Sequence, residues 1–313
     1  MQLSICIATY NRAKYIGETI DSILPQLGND VELLIVDGAS TDNTEEVVRK
    51  YTQIESSIRY VRLPSKGGVD KDYDKAVSLA RGEYCWLFTD DDLLKPGAVT
   101  AVKKAIIAGH DLVIVNAEVR DRKLRSVLEP KRVCVQEDKV YAPGYIEGLF
   151  VDAADYLSFI GAVVIRREVW LSRKREPYFN TDFIHIGVIF QKPFSTTILL
   201  VSQPYIIIRA GNSQWSPRSF DIWMLVWPRL LWSFTDISSK AKHKITGQEP
   251  WREFNNLILH RCVGGYTIQT YRKHFASLRG NETWKFIAWL IARSPRAVVR
   301  GGRYLYRRLS RSV

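Results

Sequence analysis

In the first third of the chain, short apolar runs alternate with segments of helical period, and this alternation restricts the fold more than any other feature. The runs are LSICIA (3–8), VELLIV (31–36), IRYVRL (58–63) and EYCWLF (83–88). Each has strand length and is rich in β-branched or aromatic residues. Helical patterns separate them, from about Ala13 to Gln26, through EEVVRKY (45–51), and from Asp70 to Ala80. A helix over 97–108 and a strand over DLVIVNA (111–117) continue the series. Parallel neighbours need a crossover, so this order predicts an α/β domain with a mainly parallel sheet. Beyond about residue 120 the pattern loosens. IGAVVIR (160–166), TILLV (197–201) and YIIIR (205–209) read as strands, TDFIHIGVIFQ (181–191) as a helix, and the text from Phe220 onward as helical.

Ligands of such sheets bind at the carboxyl ends of the strands. Three of the runs end there in polar clusters: TYNR (9–12), DGAS (37–40) and TDDD (89–92). The topology gathers them in one crevice. The last cluster is the most demanding, because Asp90, Asp91 and Asp92 place three like charges at the end of a buried strand. One aspartate suffices to cap the helix that begins near Pro96. The others require a cation or dense hydrogen-bond donors to offset their repulsion. A divalent ion shared with a diphosphate meets that need, since Mg²⁺ or Mn²⁺ takes one or two carboxylates and completes its shell with phosphate oxygens and water.

At 313 residues and 46% hydrophobic, the chain can bury a large core. Its net charge of +12 is unevenly spread. Residues 1–98 hold 11 Lys+Arg against 16 Asp+Glu, and the remainder 34 against 17, so an acidic half is joined to one suited to an anionic surface. Cys6, Cys85, Cys134 and Cys262 form no CxxC pair and suit a reducing compartment. MQLSICIAT lacks a basic n-region, and no window reaches about 18 uninterrupted apolar residues. The expectation is a cytoplasmic protein without a spanning helix.

The segments SICIATYNRAKYIGETIDSIL, VELLIVDGASTDNTEEVV and KGGVDKDYDKAVSLARGEYCWLFTDDDLLKPGA resemble, in order and spacing, the family 2 glycosyltransferases of GT-A fold. The resemblance covers roughly residues 3–110. It implies a nucleotide-sugar donor lined by Thr9, Tyr10, Asn11 and Arg12, with Asp37 accepting a hydrogen bond from the base. It sets Lys66, Gly67 and Asp70 near the base or diphosphate, and puts the DxD motif on Asp90, Asp91 and Asp92. The implied cofactor is Mn²⁺ or Mg²⁺, with the ligand open between Asp91 and Asp92. Two positions depart from the pattern: Thr89 stands where an acid is usual, and Gly38 follows Asp37 where a second aspartate is common.

The resemblance also implies a general base in a Glu-Asp pair at a helix start some 90 residues after the DxD. Thr181-Asp182 is the nearest equivalent, so Asp182 is the candidate base unless the reaction retains configuration. His185, one turn on, would support Asp182 or reach the metal, and Asp155 is a third possibility beside the acceptor pocket. Trp215 and Arg218 would stack on a sugar and hold a phosphate. The QxxRW motif of processive synthases is not reproduced in QWSPR, which favours transfer of a single sugar.

Residues 281–313 carry eight Lys+Arg and one Glu among Trp284, Phe286, Ile287, Trp289, Leu290 and Ile291. That composition suits a helix lying in the headgroup region of an anionic leaflet. The domain expectation is a catalytic domain over 1–218, with its donor half in 1–118 and acceptor half in 119–218. A helical basic region over 219–313 follows. The stretch GGVDKDYDKAV…GEYCWLF is similar to abequosyltransferases of O-antigen assembly, which implies a CDP-dideoxyhexose such as CDP-abequose and a polyprenyl-diphosphate-linked acceptor. The implied location is the cytoplasmic face of a bacterial inner membrane. No nucleic-acid-reading signature accompanies the charge. A nucleotidyltransferase, which would show a GxGTR-like loop where ATYNR stands, and a non-catalytic basic adaptor binding membrane or nucleic acid are the rival readings.

Overall fold

The structure, a computed structural model, describes residues 1–212 and 216–301. It divides into two compact units, one of residues 1–212 with 234–241 and one of 213–233 with 242–313.

The first unit is built on one ten-stranded sheet. Its strands are β1 (Leu3–Thr9), β2 (Val31–Asp37), β3 (Ile58–Arg62), β4 (Tyr84–Phe88), β5 (Leu93–Leu94), β6 (Leu112–Arg120), β7 (Val127–Glu129), β8 (Lys139–Tyr141), β9 (Val163–Arg166) and β10 (Ile198–Arg209). The order is β3-β2-β1-β4-β9-β6-β10-β5, with β7 on β6 and β8 on β10. The pairs β3–β2, β2–β1, β1–β4 and β6–β10 are parallel, whereas β9 runs antiparallel to both β4 and β6. The sheet is therefore mixed and mainly parallel. β1, β2 and β4 are buried almost throughout, as expected of strands covered on both faces. The separate strands expected over 197–201 and 205–209 form one strand, β10, with a register shift between Val201 and Ile206. Pro204 lies inside that shift and has no N–H to give the ladder.

The crossovers are α1 (Ile16–Ile23), α2 (Thr44–Ile54), α3 (Val69–Leu79) and α4 (Ala98–Ile107). α5 (Ile146–Ala153), α6 (Arg167–Leu171) and α7 (Ile184–Phe190) complete this unit's helical layer. α1 buries Ile16, Ile20 and Ile23, a helical stripe, and is shorter than its apolar pattern because Pro25 turns the chain into a 3₁₀ segment, Leu24–Gln26.

The second unit draws on helices α8 (Trp227–Trp232), α9 (Ser239–Ile245), α10 (Phe254–Val263), α11 (Ile268–His274) and α12 (Glu282–Arg293). Its core joins Phe220, Trp251, Leu257, Tyr266, Phe275, Trp284, Ala288 and Ala292. The small side chain at 288 lets the Tyr266 hydroxyl donate to the Ala288 carbonyl at 3.1 Å, and Trp284 Nε1–H donates to Arg252 O at 2.8 Å. Trp284 is therefore a core residue and not, as its basic surroundings suggested, a headgroup contact. Phe286 and Leu290 remain exposed, at 62% and 50%. Among the described residues no helix is long and apolar enough to cross a membrane. Residues 302–313 of the basic C-terminal stretch, and Trp215, lie outside the described residues.

Candidate active site

The carboxyl ends of β1, β2 and β4 come together, and the loops that follow them are tied by side chains. Asn11 sits at φ +55°, a left-handed conformation tolerated by asparagine. Its N–H donates to Ser40 Oγ at 2.9 Å, and its Oδ1 accepts from the Thr41 N–H at 2.7 Å. The Arg12 N–H donates to Thr44 Oγ1 at 2.9 Å, anchoring the turn to the start of α2. Lys66 Nζ lies 3.7 Å from the centre of the Tyr10 ring, a close cation–π contact.

Arg12 is the centre of the acidic cluster. Its Nε lies 3.1 Å from Asp90 Oδ1 and its Nη2 3.2 Å from Asp91 Oδ2. Asn212 Nδ2 donates to the same Asp91 oxygen at 2.8 Å. Asp92 is turned the other way: Thr89 Oγ1 donates to its Oδ2 at 2.5 Å and the Arg209 N–H to its Oδ1 at 2.7 Å. Arg209 also donates from Nε to the Asp91 carbonyl at 3.0 Å and forms an ion pair with Glu18.

Three aspartates thus face two guanidiniums, one of them shared with an outside glutamate, and positive charge is in deficit. The carboxyls respond as buried like charges must. Burial, reinforced by Asp91, pushes Asp90 up to about 7 against the pull of Arg12. Burial and Asp91 push Asp92 up to about 8, and burial raises Asp91 although Arg12 and Arg209 oppose it.

These contacts test the fit of a divalent ion. Asp92, the other expected ligand, is more deeply buried, and each of its oxygens already accepts a hydrogen bond, from Thr89 or Arg209. Thr89, where an acid was expected, serves as the donor that holds Asp92. Asp91 does fit: the contacts from Arg12 and Asn212 both fall on one of its carboxylate oxygens. Among the described residues no three acidic, His or Cys side chains form a cage, so any ion here would take most ligands from its substrate and water.

Asp37 is 0% exposed. The Ser40 N–H donates to its Oδ1 at 2.7 Å and the Tyr60 hydroxyl to its Oδ2 at 2.6 Å. It braces the β2 loop. Asp70, expected near the base or diphosphate, is instead 2% exposed and accepts N–H donors from Asp182 on Oδ2 and Ile184 on Oδ1, both at 2.9 Å. It caps α7 from 114 residues away. Asp182 itself sits at φ +65°. A left-handed aspartate costs on the order of 1–2 kcal/mol, which the carboxylate of Asp70 offsets. Burial raises Asp70 to about 6.

His185 does not support Asp182 or reach the cluster. It is buried in α7, its Nε2 2.7 Å from the Leu157 carbonyl, and burial lowers it to about 4, so the ring is neutral and Nε2 donates. Asp155 is exposed at the start of the 3₁₀ turn Tyr156–Ser158. Arg218 is exposed in the second unit.

Asp72, Arg209 and Asn212 escaped the sequence reading. Asp72 fills the space between two glycines: a Cβ on Gly67 would lie 2.4 Å from its Oδ1, and one on Gly38 2.8 Å from its Oδ2. Burial raises it to about 6 against the Gly67 and Gly68 N–H groups and Lys66. The glycines that make room for it were visible, Gly38 just after β2 and Gly67 just before α3. Arg209 was likewise visible as an arginine closing an apolar strand.

With this geometry in view, residues 4–174 match the family described as glycosyl transferase family 2. The chain belongs to that family. A curated relative, abequosyltransferase RfbV of Salmonella typhimurium, is 28% identical over 235 residues, 70% of this chain and 69% of its own. The chondroitin synthase of Pasteurella multocida is 37% identical over 113 residues, 36% of this chain but only 12% of that much longer protein. Among solved structures, Staphylococcus aureus TarS 1-349 in complex with UDP has a TM-score of 0.59 at 17% identity, covering 97% of this chain and 92% of that one. The mannosyltransferase PcManGT of Pyrobaculum calidifontis, in complex with GDP-Man and Mn²⁺, has a TM-score of 0.54 at 16% identity, covering 93% and 85%. The glycosyltransferase thus has the GT-A fold, and it is related to an abequosyltransferase and to polysaccharide synthases. Family membership sets aside the nucleotidyltransferase and adaptor readings.

Proposed function

We propose that this glycosyltransferase moves one sugar from a nucleotide-sugar to a glycan carried on a polyprenyl diphosphate. The observation that carries the reading is Arg12 bridging Asp90 and Asp91 where β1 and β4 end, in a cluster short of positive charge. A donor diphosphate that arrives with a divalent cation supplies that charge and takes the guanidinium as its own partner. Asp91 would hold the Mn²⁺ or Mg²⁺, whose chemistry when bound is to neutralise charge on the departing diphosphate. Thr9, Tyr10, Asn11 and Lys66 line the base and ribose side, with Asp37 and Asp72 fixing the loops.

Asp182, presented by Asp70 at the entry to α7, takes the proton of the acceptor hydroxyl. The acceptor oxygen bonds to the anomeric carbon as the bond to the diphosphate breaks, and the nucleoside diphosphate leaves. Similarity to RfbV supports a CDP-dideoxyhexose such as CDP-abequose as donor, within assembly of a bacterial surface polysaccharide. The basic second unit supports docking on the anionic leaflet that carries such an acceptor, on the cytoplasmic side.

Thermal-shift measurements with UDP, GDP, CDP and dTDP, with and without Mn²⁺, test the reading. CDP with Mn²⁺ is expected to stabilise the protein most. Failure of every nucleotide near 1 mM, on the order of the weakest Michaelis constants of enzymes, overturns it.

A further inference from the structure

We infer that the second unit carries a binding site for the phosphate of an anionic lipid headgroup, in a cleft formed by α10, α11 and α12. This rests on the leaflet-docking reading above and gives it a specific place. The cleft is about 360 Å³, within the range of small-ligand sites, and is lined by Arg261, Arg272, Arg293, Thr267, Ile268 and Trp289. Three guanidiniums converge with no carboxylate among the lining residues.

Two of the three are pre-positioned. Arg261 donates from Nε and Nη2 to the Ser294 carbonyl at 2.9 and 2.7 Å and from Nη1 to the Tyr266 carbonyl at 3.3 Å, which fixes its plane without cancelling its charge and leaves the outer N–H groups of Nη1 and Nη2 for a ligand. Arg293 lies over the Trp289 ring, 5.3 Å from its centre. Of the second unit's acids, Asp221 pairs with Lys273 and His274, Glu249 with Arg252, and Glu282 with Lys285, while Glu253 precedes α10 at the end away from Arg261. Two more arginines border the α10–α11 corner, Arg296 packed over Gly264 and Arg300 donating to the Cys262 carbonyl at 2.8 Å. A concentration of planar donors without counter-charge suits a phosphate, which accepts bidentate hydrogen bonds.

What marks the phosphate as a lipid's is the apolar surface beside it. On α12, Phe286 and Leu290 are four residues apart on the face opposite Trp284, Ala288 and Ala292, and Arg293 continues their stripe. Phe286 stacks on Trp289, 6.0 Å between ring centres. Val263 and Val298 are also exposed, at 59% and 66%. Acyl chains covering these groups while the cleft takes the phosphate would satisfy both at once.

Flotation of the full chain with vesicles of phosphatidylcholine containing phosphatidylglycerol tests this. Removing two basic contacts at an anionic surface is worth about 25-fold, at about fivefold each. Arg272→Gln with Arg293→Gln is expected to weaken vesicle binding by that order. Lys240→Gln with Lys244→Gln, which removes equal charge from exposed positions on α9, is expected to change it less than about threefold. Equal losses in the two pairs overturn the cleft and leave the docking reading standing. No flotation of the unmodified protein overturns both. Phe286→Ser with Leu290→Ser is expected to reduce vesicle binding but not binding of inorganic diphosphate by calorimetry. Unchanged vesicle binding in that variant would show a site for soluble anions and overturn the lipid assignment.

Discussion

Replacing Asp70 by asparagine should remove a loss of stability between pH 4 and pH 8 and slow the enzyme. Asp70 is almost fully buried, and its carboxyl is raised from 3.8 to about 6. A raised folded-state value means that the folded protein holds this proton more tightly than the unfolded chain. The stability it contributes is therefore complete below about pH 4 and is lost as pH rises through 6. About two pK units correspond to about 3 kcal/mol. Asparagine has nothing to ionise, so the stability of the variant relative to the native protein should rise by about 3 kcal/mol between pH 4 and pH 8. The amide can accept from only one of the two N–H groups and faces the other with its own donor. Asp182, held left-handed at φ +65° by that contact, then loses its place. A misplaced catalytic group costs on the order of 100-fold, so kcat should fall by about that factor while donor KM stays unchanged. Denaturant unfolding at pH 4 and pH 8, with initial rates at pH 8, measures both. A stability difference between variant and native protein that stays the same from pH 4 to pH 8 would refute the view that burial dominates at Asp70. An unchanged kcat would refute its role in presenting Asp182.

Other outcomes follow from the same contacts. Asp91→Asn should abolish Mn²⁺-dependent nucleotide binding, whereas Asp92→Asn, which alters an interior brace, should retain it in calorimetric titration. Gly67→Ala forces a methyl to 2.4 Å from Asp72 Oδ1 and should destabilise by about 1–3 kcal/mol. Adding Asp72→Ala should recover most of that loss, and a double-mutant cycle of unfolding free energies reads the coupling. Trp284→Ala empties the centre of the second unit's core and should cost about 3–5 kcal/mol, measured by thermal unfolding.

The strands and crossovers of the donor half were legible because burial on both faces writes a continuous apolar run, and each crossover helix writes its own period. β1, β2 and β4 fall where those runs predict, and their polar ends do meet. What was illegible depends on distance along the chain. Nothing local in VDKDYDK says that Asp70 will cap a helix 114 residues later, so it read as a ligand contact rather than a brace. Asp91 and Asp92 are adjacent and chemically alike, yet the bend between β4 and β5 points one at Arg12 and the other at Thr89, a choice composition cannot express. β5, β7 and β8 hold two or three residues each and carry no period to find. His185 followed an acid at helical spacing, but α7 is buried throughout, and that burial comes from tertiary packing.

The most direct test is an anomalous difference map at the manganese edge, from crystals grown with Mn²⁺ and the nucleoside diphosphate that stabilises the protein. The expected result is one peak at about 2.1–2.2 Å from a carboxylate oxygen of Asp91, with Arg12 moved onto the diphosphate and Asp92 still bonded to Thr89. A nucleotide bound with no peak beside Asp91, and Arg12 still bridging Asp90 and Asp91, would contradict the account.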